Sequence, residues 1–350
     1  MDRRNIKILT AVGIFLLLAG TGALLWRHSL QNERHTSAVF AMDTVVEQKV
    51  YGPRAEKAMD RLAQALRTQE SELSLYESGS DIARLNAAAG SGEPVAVSAE
   101  TYALLLRAKE LQKLSDGAFE LTIAPLALAW GVTSDAPRVL TQSEIDALLP
   151  LVGDEGIVLE GAAARLSKKG QAIDLGGIAK GTACDKAKET YDKDGISCAL
   201  VTMGGSSIYA RGRKPGGEKW RIGFRDPKNG ESASLASFEL EDAFFCTSGG
   251  YERYFERDGV RYHHILDPKT GRPAQSDIVS VGVLCENGTD ADFWSTTLFI
   301  WGKEKTLRYF KEGGEGLLLD EENNLYVSKA LQPSFELAQE ATGIYNVIYL

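Results

Sequence analysis

The chain reads as an α+β protein with largely antiparallel sheets and packed helices, preceded by one N-terminal hydrophobic helix. Three observations lead there. Short β-patterned segments outnumber helical ones and follow one another at hairpin spacing. No linker of biased composition interrupts residues 38–350, which read as one unit. Ahead of them, an uncharged and mostly apolar run covers Ile8 to Trp26.

That run sets the first expectation. Arg3, Arg4 and Lys7 precede it and Arg27 follows. Its length approaches the roughly 20 residues that a bilayer span needs and exceeds the apolar part of most cleaved signals. Residues 1–27 therefore read as a signal-anchor or signal peptide, with the basic end inside. Residues 28–37 read as a polar linker. The rest is expected to be exported and anchored on the inner (cytoplasmic) membrane, facing the periplasm or cell exterior.

Element by element, Val39 to Tyr51 reads as one long strand with partial alternation. Pro53 opens a helix with Ala58, Leu62, Ala65 and Leu66 on its apolar side. Asp81 to Asn86 is a short capped helical turn, and Ser98 starts a helix running from Thr101 to Leu114. Ala118 to Ile123 reads as a strand stopped by Pro125. A loop from Trp130-Gly131 leads to a short helix at Ile145 to Leu149, then a hairpin of Ile157–Leu159 and Ala164–Leu166.

Residues 172–210 show a strand–glycine–helix–strand pattern. Short strands follow at Trp220–Phe224, Ser234–Leu240, Ala243–Cys246, Tyr262–Leu266 and Ile278–Leu284. A helix from Asp290 to Trp301 and strands at Gly316–Leu319 and Leu325–Val327 close the chain.

Bulk properties narrow the function. A net charge of −9 with no basic patch argues against nucleic-acid binding. Cys184, Cys198, Cys246 and Cys285 form no CxxC pair, which argues against structural zinc. They read as buried thiols, although an exported location also permits disulfides.

Two histidines stand side by side in Tyr262-His263-His264-Ile265-Leu266-Asp267-Pro268-Lys269-Thr270-Gly271. The Pro-x-x-Gly turn holds an imidazole and a carboxylate at the end of a buried strand. Asp267 either orients the imidazole or caps the turn.

In Asp174-Leu175-Gly176-Gly177-Ile178-Ala179-Lys180, an apolar strand delivers Asp174 to a glycine turn and a helix start. Free N–H groups there suit phosphate oxygens, and Lys180 adds a charge. The plainer alternative is a tight turn with a surface lysine.

In Asp292-Phe293-Trp294-Ser295-Thr296, helical spacing puts Asp292, Ser295 and Thr296 on one face. Such an oxygen surface suits Mg²⁺ or Ca²⁺. Alone, Asp292 reads equally as a residue favouring the helix dipole. Thr247-Ser248-Gly249-Gly250 forms either a phosphate or ribose turn or a bare turn. Met42 and Tyr76 suit the wall of an aromatic site or the core.

Together and in this order, these segments resemble the ApbE family of FAD:protein FMN transferases, from about Met42 to Gly302. The resemblance implies a fold related to the T-fold over 38–350. It also implies Mg²⁺-dependent transfer of FMN from FAD to a threonine of an exported or membrane redox flavoprotein. A phosphoester forms and AMP leaves.

Residue by residue, it implies metal ligation by Asp292 and Thr296, with Ser295 close by and the Gly177 carbonyl completing the set. Met42 and Tyr76 contact the flavin. Ala118, Phe119, Glu120, Asp174, Lys180 and Leu266 line the nucleotide pocket, and His264 is the catalytic histidine. His263 falls back to a structural role. Two departures stand out: Gly204-Gly205-Ser206 replaces the family's usual Gly-Gly-Asn, and no lipid-anchor cysteine is present. The same residues also admit a Mg²⁺-dependent FAD pyrophosphatase or a non-catalytic flavin-binding protein.

Overall fold

Along Thr44–Tyr51 the burial alternates: Val46, Gln48 and Val50 face inward, while Val45, Glu47 and Lys49 face solvent. A strand with period two buries one face in this way. In the computed structural model, which describes residues 14, 17–18, 20–21, 29–228 and 233–350, this strand belongs to a nine-stranded sheet. The order is Arg34–Ala41, Thr44–Tyr51, Ala199–Met203, Ser207–Arg211, Ala243–Gly249, Ile278–Cys285, Glu315–Asp320, Asn324–Val327, Asn346–Tyr349. Its pairings are antiparallel except for the last, which is parallel.

The two faces of the sheet are covered differently. On one side Val46, Val201 and Phe244 pack beneath the helices Ala55–Leu73 and Ala179–Asp194. On the other, Leu200, Phe245 and Leu317 meet Trp220, Phe224 and Phe238 of a three-stranded sheet. A third cluster joins the helices Asp81–Ala87 and Ala99–Leu114 to the hairpin Ile157–Glu160/Ala163–Leu166.

Several expectations are corrected. The segment Val39 to Tyr51 is not one strand but a hairpin, Arg34–Ala41 paired with Thr44–Tyr51. Met42 and Asp43 turn the chain with φ of 56° and 55°, a left-handed pair that closes two-residue hairpins. The first strand also takes in Arg34–Ser37, read from sequence as linker, so His35 too belongs to the folded part.

Leu121–Ile123 is a 3-10 turn and Ala124–Trp130 a helix. Pro125 starts that helix instead of stopping a strand, because proline fits the first helical turn, where its missing N–H is not needed. Ile173–Leu175, expected as a strand, joins no sheet. Its backbone bonds the Asn86 side chain and the Leu121 carbonyl instead. Tyr262 to Leu266 divides into two short strands, Val260–His263 and Leu266–Asp267. A helix at Lys303–Lys311 had no counterpart in the sequence reading.

The apolar run at Ile8 to Trp26 lies almost wholly outside the described residues. Among those described, no helix is long and apolar enough to cross a membrane. The four cysteines are free thiols, and all but Cys285 are buried.

Candidate active site

Two helices cross at the floor of the site. A Cβ built on Gly181 falls on the Gly288 carbonyl oxygen and 2.6 Å from Asp292 Cβ. Only glycine permits so close an approach. The crossing is pinned by Asp185, which accepts the Gly288 and Thr289 N–H groups at 2.6 and 2.9 Å and the Thr289 hydroxyl at 2.6 Å. Asn287 caps the second helix, Gly288–Trp301, by accepting the Asp290 N–H.

This crossing delivers Asp292. Its side chain is buried, and Oδ2 accepts the Gly181 N–H at 2.8 Å. Burial pushes its carboxyl above the usual range, against the pull of the Lys180 ammonium.

The helix start was expected to offer free N–H groups to phosphate, but they are already used. Ile178 and Ala179 donate to the Leu175 carbonyl, and Lys180 and Gly181 donate to Asp292. One acceptor is left over. Thr182 bonds the Ile178 carbonyl in helical fashion, whereas the Gly181 N–H turns to Asp292 and not to the Gly177 carbonyl.

A cavity of about 530 Å³ opens above this floor, within the size range of cofactor sites. Asp292, Thr296, Gly177, Lys180 and His264 all line it. So do Ala118, Phe119, Glu120, Asp174, Leu266, Met42 and Tyr76. Tyr76 is 74% exposed, which places it on the rim. Phe119 packs edge-on against Phe293 at 5.1 Å, tying the wall to the helix that carries Asp292. Glu120 is fixed by Gln112, which donates at 2.7 Å, and by the Thr122 hydroxyl at 3.0 Å. Asp174 accepts the Gly176 N–H at 2.7 Å, and burial raises its carboxyl.

Ser295 is the residue the cavity does not include. It is fully buried, donates to the Asp292 carbonyl at 2.9 Å and shares a 2.9 Å bond with the Ser248 hydroxyl. Ser248 is the hydroxyl that reaches the cavity, 3.5 Å from Thr296 Oγ1. On a helix i+3 and i+4 flank i on opposite sides, about 60° and about 40° away, so Ser295 turns to Ser248 while Thr296 turns to the cavity.

The two histidines separate. His263 is buried: Nε2 bonds the Ala274 carbonyl at 3.1 Å and Nδ1 accepts the Ile265 N–H at 3.3 Å. His264 faces the cavity, and its Nδ1 bonds the Arg253 carbonyl at 3.1 Å. A carbonyl only accepts, so Nδ1 carries the proton and Nε2 keeps a free lone pair. Burial, reinforced by Lys180, pushes this imidazole down to about 3. Asp267 does not orient it. Its Oδ1 accepts the Lys269 N–H at 2.9 Å and its carbonyl accepts the Gly271 N–H at 2.8 Å, so it caps the turn.

Sequence reasoning passes over Arg225, Glu252 and Arg253, which also line the cavity. Burial raises the Glu252 carboxyl, with Lys180 the first charge opposing it. Two charges directly after Gly249-Gly250-Tyr251 were the available signal.

Asp292, Thr296 and Gly177 line one cavity and have only oxygens to offer a cation: a carboxylate, a hydroxyl and a carbonyl that no helical N–H takes up. Among the described residues no group of three or more His, Cys, Asp or Glu is placed to hold a metal. The oxygen set fits a small hard cation that takes its remaining ligands from water or phosphate.

Comparisons with known proteins identify the family. The model of the ApbE family matches residues 42–318. An FAD:protein FMN transferase of Treponema pallidum is 33% identical over 321 residues, covering 86% of this chain and 88% of that protein. One from Vibrio cholerae is 35% identical over 249 residues, covering 71% and 73%. Among solved structures, the ApbE protein of Thermotoga maritima superposes with a TM-score of 0.77 at 31% identity, covering 85% of this chain and 98% of that one. The flavin transferase ApbE from Vibrio cholerae gives 0.77 at 29%, covering 86% and 99%.

Proposed function

The chain belongs to the ApbE family, and from that membership we infer that its cleft splits FAD and transfers the FMN half to an acceptor protein. It is an FAD:protein FMN transferase, the name its relatives carry. The observation that best supports the chemistry is the placing of an oxygen-only cation cradle, Lys180 and a neutral His264 on one cavity.

In the finer reading, the acceptor group is a threonine hydroxyl. Asp292, Thr296 and the Gly177 carbonyl would hold a magnesium ion, which would supply neutralising charge for the pyrophosphate and the departing AMP. Lys180 adds a cation on the same side. His264 Nε2 takes the proton from the attacking hydroxyl with its free lone pair. Burial and Lys180 make it a weak base, and the negative charge of a bound pyrophosphate would raise its basicity towards the working range. The threonine oxygen bonds the FMN phosphorus, the bond between the two phosphates breaks, and AMP leaves with the electron pair. Phe119 and its neighbours hold the nucleotide end, while Met42 and Tyr76 hold the flavin. Asp292 needs no proton in this scheme, because the cation offsets the charge that burial disfavours.

The acceptor is a flavoprotein. We place the reaction outside the cytoplasmic membrane, on the periplasmic or exterior side, with the apolar run at Ile8 to Trp26 as the tether. Fractionation tests the tether: full-length chain is expected with membranes, and a chain starting at residue 28 in the soluble fraction.

Mixing the protein, FAD, Mg²⁺ and a candidate flavoprotein tests the reaction. Flavin fluorescence is expected on the denatured acceptor with wild type, and not with Asp292→Ala or His264→Ala. FMN and AMP released with no labelled acceptor would point to the pyrophosphatase, and a stable yellow complex without turnover to a binding protein.

A further inference from the structure

Two hairpins meet at the cleft, and they belong to different sheets. The first, Arg34–Ala41 with Thr44–Tyr51, is part of the nine-stranded sheet. The second, Tyr254–Arg257 with Val260–His263, forms a sheet of its own. His264 is the residue immediately after that second hairpin, and Arg253 the residue immediately before it.

Arg253 bonds in both directions. Its carbonyl accepts the His264 backbone N–H and the His264 Nδ1–H, each at 3.1 Å. Its guanidinium crosses to the tip of the first hairpin, donating to Asp43 Oδ2 at 3.2 Å and to the Asp43 carbonyl at 3.1 Å. We propose that Arg253 is a positioning residue for flavin transfer: it ties the hairpin that carries His264 to the Met42–Asp43 tip, and so sets where His264 Nε2 stands in the cleft. The proposal rests on the transferase reading.

The second hairpin is stiff enough to transmit such a tie. Phe255 stacks on Tyr262 at 5.2 Å, and the Arg261 guanidinium lies over the Tyr254 ring at 4.1 Å. One side is already fixed, because Tyr262 also stacks on Trp130 at 5.6 Å. The other side meets the main sheet through Arg253 and Asp43. The tip it grips is built from two non-glycine residues in the left-handed region, φ 56° and 55°. Few sequences hold that shape without help. The Arg253 and Asp43 side chains are 43% and 77% exposed, and an exposed pair adds little to stability. The effect belongs to placement, where a shift of about 1 Å can cost about a hundredfold in rate.

The test uses full-length protein, FAD, Mg²⁺ and an acceptor flavoprotein that the wild type labels. Arg253→Ala is expected to lower kcat about tenfold or more, with FAD Kd and melting temperature nearly unchanged. Asp43→Ala is expected to cost less, since the Asp43 carbonyl bond survives. Arg253→Lys should recover part of the loss. The double variant should be no worse than Arg253→Ala, the sign of a shared interaction. A wild-type kcat in Arg253→Ala overturns the proposal, as do independent multiplying losses or an equal loss of FAD binding and kcat. If wild type labels no acceptor while binding FAD, the transferase reading itself fails and this proposal with it.

Discussion

Asp292 Oδ2 accepts the backbone N–H of Gly181 at 2.8 Å, across 111 positions of sequence. The bond exists because two helices touch at Gly181 and Gly288. Gly181→Ala must push them apart. Overpacking of this kind costs about 1–3 kcal/mol, and here it also displaces the carboxylate. Urea melts should show lost stability, and a Mg²⁺ titration weaker binding. Unchanged metal affinity in a folded Gly181→Ala protein would contradict the link.

Asp292 should make the metal-free protein less stable as pH rises. Its folded carboxyl lies above the ordinary 3.8 because burial disfavours the charge. Between 3.8 and the folded value the folded chain binds more protons than the unfolded one, so stability falls as pH rises through that window. Without metal, Asp292→Asn is therefore expected to melt higher than wild type at pH 7.5, with the gap closing towards pH 4. Added Mg²⁺ should raise the wild-type melting temperature and leave the variant unmoved. A variant that melts lower at pH 7.5 without metal refutes this account.

Thr296 and Ser295 are neighbours with different duties. Thr296 lines the cavity, while Ser295 is buried behind it against Ser248. Thr296→Val is expected to weaken Mg²⁺ binding about tenfold or more, as loss of a metal-site group does. Ser295→Ala should act more weakly, and mainly on stability. Calorimetric Mg²⁺ titrations of both variants decide the matter, and the reverse ranking would move the cradle to Ser295.

His264 should stay neutral across the useful pH range. Its folded value of about 3 lies below the ordinary 6.5. Over that window the folded chain holds fewer protons than the unfolded one, so its contribution to stability is lost as pH falls through it. For catalysis, kcat/KM should show no acid limb at 6.5, since the base is already unprotonated there. His264→Gln is expected to lower kcat by about 10²–10⁴ with little change in FAD affinity. An acid limb at 6.5 that disappears in His264→Gln would show a conventional imidazole instead.

Local signals were legible where one residue decides an element. Ser98 caps the helix Ala99–Leu114 as its sequence signals, whereas the helix expected at Ile145–Leu149 starts earlier, at Gln142, behind a Thr141/Glu144 capping box that the apolar pattern alone does not show. The first turn stayed hidden because Met42 and Asp43 adopt a shape usually marked by glycine or asparagine. Pro125 misled because the same residue stops strands and starts helices.

At the site, short local patterns marked the segments around Asp174, His264 and Asp292, the family resemblance added Ala118, Phe119, Glu120 and Leu266, and all of these line the cavity. The Arg253 carbonyl beneath His264 could not be read. It depends on a backbone partner 11 positions away, and a carbonyl carries no residue identity. The spent N–H groups at Ile178 to Gly181 were hidden for the same reason: their acceptors depend on tertiary packing.

The Gly181–Gly288 contact also limits how this protein can evolve. A side chain on Gly288 falls on the Gly181 carbonyl, just as one on Gly181 falls on the Gly288 carbonyl. Neither position can compensate for the other, since each is already the smallest residue. A lineage can redraw the rim around Tyr76, exchange surface charges or lengthen loops to suit new acceptors. It cannot add a methyl group at this crossing by single steps without moving Asp292. The crossing and the carboxylate it positions are thus coupled, and a change at either glycine is a change at Asp292.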